Sequence, residues 1–86
     1  MNAEQIRDDL VNFLAKTFVV EPNDIDLNKS LVDEGIIDSL GLIEISSYIE
    51  KKYGLSIEPK EMNRENFGSV MRIAGFIAHK STSRQN

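Results

Sequence analysis

Three groupings in this 86-residue chain have side-chain types and spacings that could do chemistry. The first is Asp24-x-Asp26-x-Asn28-x-Ser30, oxygen-bearing residues at alternate positions. That is the ligand spacing of a calcium-binding loop. Such a loop also needs glycine at its sixth position and a chelating glutamate at its twelfth, where this chain has Lys29 and Gly35. A lysine in the turn and no closing carboxylate hold calcium poorly. No metal site is assigned, and the expected role is turn chemistry, with Asp and Asn side chains accepting from nearby backbone amides.

The second grouping is Ser39 with His79, the single histidine. A serine hydroxyl becomes a nucleophile only beside a base. Nothing in the spacing places His79 next to Ser39, and no Gly-x-Ser-x-Gly sequence surrounds the serine. A histidine at the end of a last helix is read as a solvated cation favoured by the helix dipole. No catalytic residue is assigned, and the chain is expected not to be an enzyme.

The third grouping is the neighbourhood of Ser39. Between Ser30 and Glu50 there is no Lys, Arg or His, while Asp33, Glu34, Asp38, Glu44 and Glu50 give −5. The rest of the chain holds ten basic and nine acidic groups, a net of +1. A patch of one sign selects partners of the opposite sign. Acids at a helix start also stabilise it locally, and charge alone does not separate the two roles. Leu40 and Ile43 lie off the core stripe of their helix, next to Glu44 and Ser47. They either pack beneath the preceding loop or remain outside as a docking surface, the apolar pair for affinity and the acids for orientation.

These residues need a frame. Ile6, Leu10, Phe13, Leu14 and Phe18 recur at helical spacing over about residues 3 to 19, with Asp8, Asp9, Asn12 and Lys16 on other faces. Glu21-Pro22-Asn23-Asp24 is expected to end that helix. A long connection over residues 20 to 37 follows, pinned by Ile25, Leu27, Leu31 and Val32, with Gly35 free to take positive φ. A second helix runs from Asp38-Ser39 to Tyr53, with Leu42, Ile45, Ile49 and Tyr53 as its core stripe. Gly54 closes it as a left-handed cap, and Lys51 and Lys52 occupy its last turn. Either Asp38 or Ser39 caps its start, since no Glu or Gln three residues on selects one. Gly41, a weak helix former, predicts a mobile helix start. Residues 56 to 67 are irregular apart from one turn around Asn63-Arg64-Glu65-Asn66. Ser69 caps a last helix through about His79, with Val70, Ile73, Ala74 and Ile77 inward. The reading is an all-α bundle: one domain over residues 1–79, three main helices plus a short one, a long loop between the first two, and a flexible tail over 80–86.

Composition narrows the function classes. Hydrophobic residues are 41% and charged residues 28% of the chain, as in globular domains. Zero cysteines exclude a disulfide framework, a Cys-ligated metal and a cysteine nucleophile. A net charge of −4 lacks the basic face that a nucleic-acid backbone requires. The first residues lack the basic-then-apolar order of a signal peptide, and no apolar run is long enough to span a bilayer. The expectation is a cytoplasmic monomer.

The segment Asp33-Glu34-Gly35-Ile36-Ile37-Asp38-Ser39-Leu40-Gly41-Leu42-Ile43-Glu44 resembles the acyl carrier protein family in its broad sense, which includes peptidyl and D-alanyl carriers. Its heart is Asp38-Ser39-Leu40, followed by an apolar residue and then Glu44, at the opening of the second helix after a long loop. The resemblance extends over roughly residues 3 to 79. It implies that Ser39 is the attachment point for 4′-phosphopantetheine, donated by coenzyme A through a separate phosphopantetheinyl transferase, and that acyl or aminoacyl groups ride as thioesters on the prosthetic thiol. It further implies that Leu40, Ile43 and Glu44 contact loading ligases or synthases and downstream transferases with basic patches, and that Asp38 orients the transferase. A cysteine-free chain presents a reactive thiol only by acquiring one, and Ser39 needs no base of its own if another enzyme supplies the catalysis. The family's fatty-acid carriers typically have Gly-Ala before the motif and Asp after it. Here Ile36-Ile37 precede it, Gly41 follows, and Lys51-Lys52 replace late acids. The segment Asp33-Glu34-Gly35-Ile36-Ile37-Asp38-Ser39 and the later Asn63-Arg64-Glu65-Asn66-Phe67 look more like free-standing D-alanyl or aminoacyl carriers. The competing reading is an unmodified acidic helical module that docks a basic partner.

Overall fold

In the computed structural model, which describes residues 2–84, helix α1 spans Ala3–Phe18. The Asn2 side chain caps it by accepting from the Gln5 amide at 2.8 Å. Ile6, Leu10 and Leu14 recur every fourth residue and are fully buried, while Phe13 and Phe18 flank them half-buried. The helix stops before its proline is reached. Val19 turns left-handed at φ 54°, and the Val20 amide donates to the Ala15 carbonyl at 3.2 Å. That is the six-to-one closure of a Schellman end. Pro22 instead opens a single 3-10 turn, Pro22–Asp24.

Helix α2 spans Ser39–Tyr53, α3 is one turn at Arg64–Phe67, and α4 spans Val70–Arg84. Among the described residues there is no strand, so the expected all-α bundle of three main helices and a short one is the observed one. Helices α1 and α2 are antiparallel. Phe18 lies against the Gly41 position, Phe13 stacks on Tyr48 with centroids 4.1 Å apart, and Tyr53 Oη donates to Asp9 Oδ2 at 3.2 Å. Helix α4 packs on α1 and α3 and buries Val70, Ile73, Ala74 and Ile77, the four residues expected inward.

The connection between α1 and α2 is held by backbone as well as by side chains. The Leu31 amide donates to the Gly68 carbonyl at 2.9 Å, and the Leu27 carbonyl accepts from the Met71 amide at 3.0 Å. Ile25, Leu31 and Ile37 are buried beneath it. Val32, expected to be a pin, is 44% exposed. The polar run does turn chemistry: Asp26 accepts from the Asn28 amide at 3.0 Å and Ser30 from the Asp33 amide at 3.1 Å. Gly35 takes φ 75° and Gly54 φ 65°, the two left-handed positions read as glycine turns.

The expected tail differs from the structure. Helix α4 continues past His79 to Arg84 because its last turns have partners. Lys80 Nζ donates to both Glu61 carboxylate oxygens, at 2.9 and 2.8 Å, and Ser81 is buried. An expected boundary at residue 79 therefore falls inside a helix; residues 85–86 of that tail lie outside the described residues.

Candidate functional site

Helix α2 is aimed by its two ends. At its start Asp38 is the cap: its Oδ1 accepts from the Gly41 amide at 2.9 Å, and its carbonyl from the Leu42 amide at 3.1 Å. This decides between the two expected caps and leaves Ser39 as the first helical residue, exposed to solvent. At the far end Tyr48 and Tyr53 hold α2 to Asp9 of α1. Burial pushes both phenols above the usual tyrosine range, helped by the Asp9 carboxylate charge. Both stay protonated donors through any neutral working pH.

Gly41 is the residue whose role the sequence reading missed. It is buried, and a Cβ there would stand 2.9 Å from Ile37 Cβ and 3.2 Å from Phe18 Cε1. The missing side chain admits Ile37 and Phe18 against the first turn, so Gly41 locks the helix start to the loop and to α1. The expectation of a mobile start came from helix propensity alone. The signal available was position: Gly41 lies four residues after Ile37, an apolar residue just before the helix.

The outward face of α2 carries the remaining expected residues. Leu40 is 67% and Ile43 55% exposed, with Glu44 exposed beside them. Neither apolar residue packs under the loop. Buried Gly41, Ile45, Ser46 and Ile49 form the opposite face, while Leu42 and Tyr53 of the expected core stripe are half-buried.

The five acids do not act as one patch. Glu50 turns inward, accepting from the Ile57 amide at 2.8 Å, and Asp33 pairs with Arg64 at 3.3 Å. Asp38 caps. Glu34 and Glu44 are exposed and, among the described residues, have no ion-pair partner. Two hollows flank the helix start. One is an apolar cleft of about 160 Å³, with Val32, Leu42, Met62 and Phe67 in its wall and Arg64 at its edge. The other is an open groove on the α1 side, walled by Phe18, Ile36, Ile37 and Leu40, with Asp38 and Glu44 among its lining residues.

His79 is exposed on α4, and no hydrogen bond joins it to Ser39. Among the described residues no three His, Cys, Asp or Glu side chains converge on a possible metal position, and no helix is long and apolar enough to cross a membrane. Ser39 thus offers an exposed hydroxyl, and among the described residues no histidine stands beside it. The amides of Ser39 and Leu40, in the first turn, have no intrahelical acceptor. A phosphodiester on the serine fits there, because a helix start presents free N–H groups and the positive end of the dipole to an anion.

Comparison with known proteins gives the family. The family described as the phosphopantetheine attachment site matches residues 8–77. The D-alanyl carrier protein of Lactococcus lactis subsp. cremoris (strain MG1363) is 34% identical over 56 residues, covering 65% of this chain and 71% of that one. The acyl carrier protein of Rhodococcus erythropolis is 32% identical over 59 residues, covering 69% and 65%. In fold, the chain is similar to the HMG-ACPI domain of the CurA module from Lyngbya majuscula, with TM-score 0.78, 24% identity, and coverage of 99% of this chain and 83% of that one. The family model covers residues 8–77, most of the chain, and the relatives are carrier proteins: the chain belongs to the phosphopantetheine-attachment family, the acyl carrier proteins in the broad sense, and carries acyl or aminoacyl groups on a 4′-phosphopantetheine arm.

Proposed function

We propose that Ser39 bears the arm, that a separate phosphopantetheinyl transferase installs it from coenzyme A, and that the chain itself catalyses nothing. One observation carries the assignment: Ser39 is exposed at the first position of α2, its backbone fixed by the Asp38 cap and the Gly41 contact. A serine hydroxyl needs an activating base to react, and in this reading the transferase supplies it. In the transfer, Ser39 gives its proton to the transferase as the Oγ–P bond forms and the coenzyme A pyrophosphate bond breaks, with adenosine 3′,5′-bisphosphate leaving. When bound, the group supplies the thiol on which cargo is held.

Leu40, Ile43 and Glu44 form the docking face for partner enzymes, and Asp38 contributes its charge at the helix start as well as capping it. Apolar residues exposed beside unpaired acids suit a partner surface of aliphatic and cationic side chains. Of the acyl and aminoacyl cargoes, the aminoacyl class is the one we favour, because several relatives are D-alanyl carrier proteins. The working state is a cytoplasmic monomer that shuttles between a loading ligase and a consuming transferase.

The test is intact mass after incubation with coenzyme A and a broad-specificity phosphopantetheinyl transferase, with Ser39→Ala alongside. Gain of one phosphopantetheine by the wild type only is expected. No gain with several transferases would reduce Ser39 to a helix position and leave an acidic interaction module in its place.

A further inference from the structure

We propose that a hollow between the long loop, α3 and the start of α4 is a second interaction surface, opposite in sign to the acidic face of α2, which takes a carboxylate-bearing segment of a partner protein. It uses none of the residues assigned to the arm or to the α2 docking face. The hollow has a volume of about 410 Å³, with Asn28, Ser30, Arg64, Glu65, Ser69 and Arg72 in its lining. Two guanidinium groups from two helices meet one carboxylate there, in a chain whose net charge is −4.

Arg72 stands where local chemistry disfavours it. Ser69 caps α4, its Oγ accepting from the Arg72 amide at 3.2 Å. Three residues after a serine cap, Glu or Gln is the residue whose side chain bonds back to the cap. A cation there also meets the positive end of the helix dipole. Among the described residues no carboxylate pairs with Arg72. Its Nη1 donates to the Glu65 carbonyl at 3.3 Å, and both residues are exposed. A local rule broken with no compensating ion pair inside the chain is the mark of a functional position. Arg64 is equally accessible. Its pair with Asp33 leaves the two side chains 75% and 60% exposed, so the bond is screened and an incoming carboxylate can replace it. The first amides of α4 are not the anchor, since Met71 donates to the Leu27 carbonyl and Arg72 to Ser69. The positive charge is that of the guanidinium groups, whose forked donors match a carboxylate.

The neighbouring cleft identifies the ligand as a protein segment rather than a small anion. Ser30, Arg64 and Gly68 line both hollows, and the cleft adds Val32, Leu42 and Met62 as apolar wall. A glutamate or aspartate beside an aliphatic side chain fits the two together, with the carboxylate on Arg64 and Arg72 and the aliphatic group in the cleft. A partner with such a segment, and with cations for Glu34 and Glu44, meets the chain in one orientation, because reversing it sets like charges together.

Amide NMR of the full chain at low salt tests this, with a blocked peptide of alternating glutamate and leucine as probe. The glutamine twin of that peptide is the control, and inorganic phosphate is the small-anion arm. The glutamate peptide is expected to shift the Gly68, Ser69 and Arg72 amides saturably, and the glutamine twin to leave them in place. Arg72→Gln should weaken that binding by about tenfold or more, the scale of one charge-assisted hydrogen bond, and Arg64→Gln combined with it should abolish binding. The thermal midpoint of Arg72→Gln should not fall, because glutamine suits the capping position; a lowered midpoint would make Arg72 structural and overturn its role here. No shift with the glutamate peptide, or equal shifts with the glutamine twin, overturns the proposal. Phosphate that moves the same amides at lower concentration than the peptide makes the hollow a small-anion site, and a wild-type dimer in sedimentation that Arg72→Gln abolishes gives it to a second copy; either result overturns the docking of a partner segment. Each of these failures leaves the Ser39 assignment, read by intact mass, standing.

Discussion

Replacing Gly41 with alanine sets two effects of opposite sign against each other. Helix propensity favours the alanine by up to about 1 kcal/mol. Packing opposes it. The added Cβ would meet Ile37 Cβ at 2.9 Å and Phe18 Cε1 at 3.2 Å. Ile37 Cβ is tied to the backbone and Ile37 is buried, so it cannot swing aside as the end of a long side chain would. Overpacking of this kind costs about 1–3 kcal/mol. The difference is a net loss of about 1 kcal/mol. With a urea slope of about 1 kcal/mol per molar for a small domain, the midpoint of unfolding falls by about 1 M. Urea denaturation followed by circular dichroism measures this directly. A Gly41→Ala chain with a raised midpoint would show that propensity governs the start of α2 and that Ile37 does not lock it.

Three further outcomes are expected. Ile45→Ala, at a position with no exposure, lowers stability by about 2–5 kcal/mol in the same assay; a shift under 1 kcal/mol would mean that the buried face of α2 is misassigned. Lys80, through its hydrogen bonds to Glu61, holds that carboxyl below its usual range. The unfolded chain therefore binds the proton first as pH falls, and stability present above about pH 4.5 is lost below it. Glu61→Gln should flatten that acid limb and cost no more than about 1 kcal/mol at neutral pH; an unchanged limb in thermal melts from pH 3 to 7 would refute the coupling. Glu44→Lys should slow phosphopantetheinyl transfer at low salt while leaving the melting curve in place, since Glu44 is exposed and, among the described residues, unpaired; equal transfer rates at low salt would remove Glu44 from the docking face.

Much of this molecule was local in origin and therefore legible along the chain. The periodicity of Ile6, Leu10 and Leu14, and of Val70, Ile73 and Ile77, specified which helix faces are buried, because a helix exposes only one stripe to the core. Gly35 and Gly54 announced left-handed turns because their backbones adopt positive φ without strain. The segment around Asp38-Ser39-Leu40, at the opening of the second helix after a long loop, carried the resemblance to the acyl carrier family, and the family model matches residues 8–77. Other features were contacts between residues distant in sequence, and no periodicity encodes those. Sequence counted five acids around Ser39; folding turned Glu50 inward to the Ile57 amide and gave Asp33 to Arg64. It read Gly41 as a flexible point, whereas Ile37 and Phe18 converge on it. It placed a tail where Glu61, nineteen residues away, holds Lys80 and carries α4 on to Arg84. Helix faces and turns follow from short-range sterics and hydrophobic spacing. Which carboxylates stay free for a partner, and which glycine is a keyhole, depends on what the tertiary fold brings within a few ångströms.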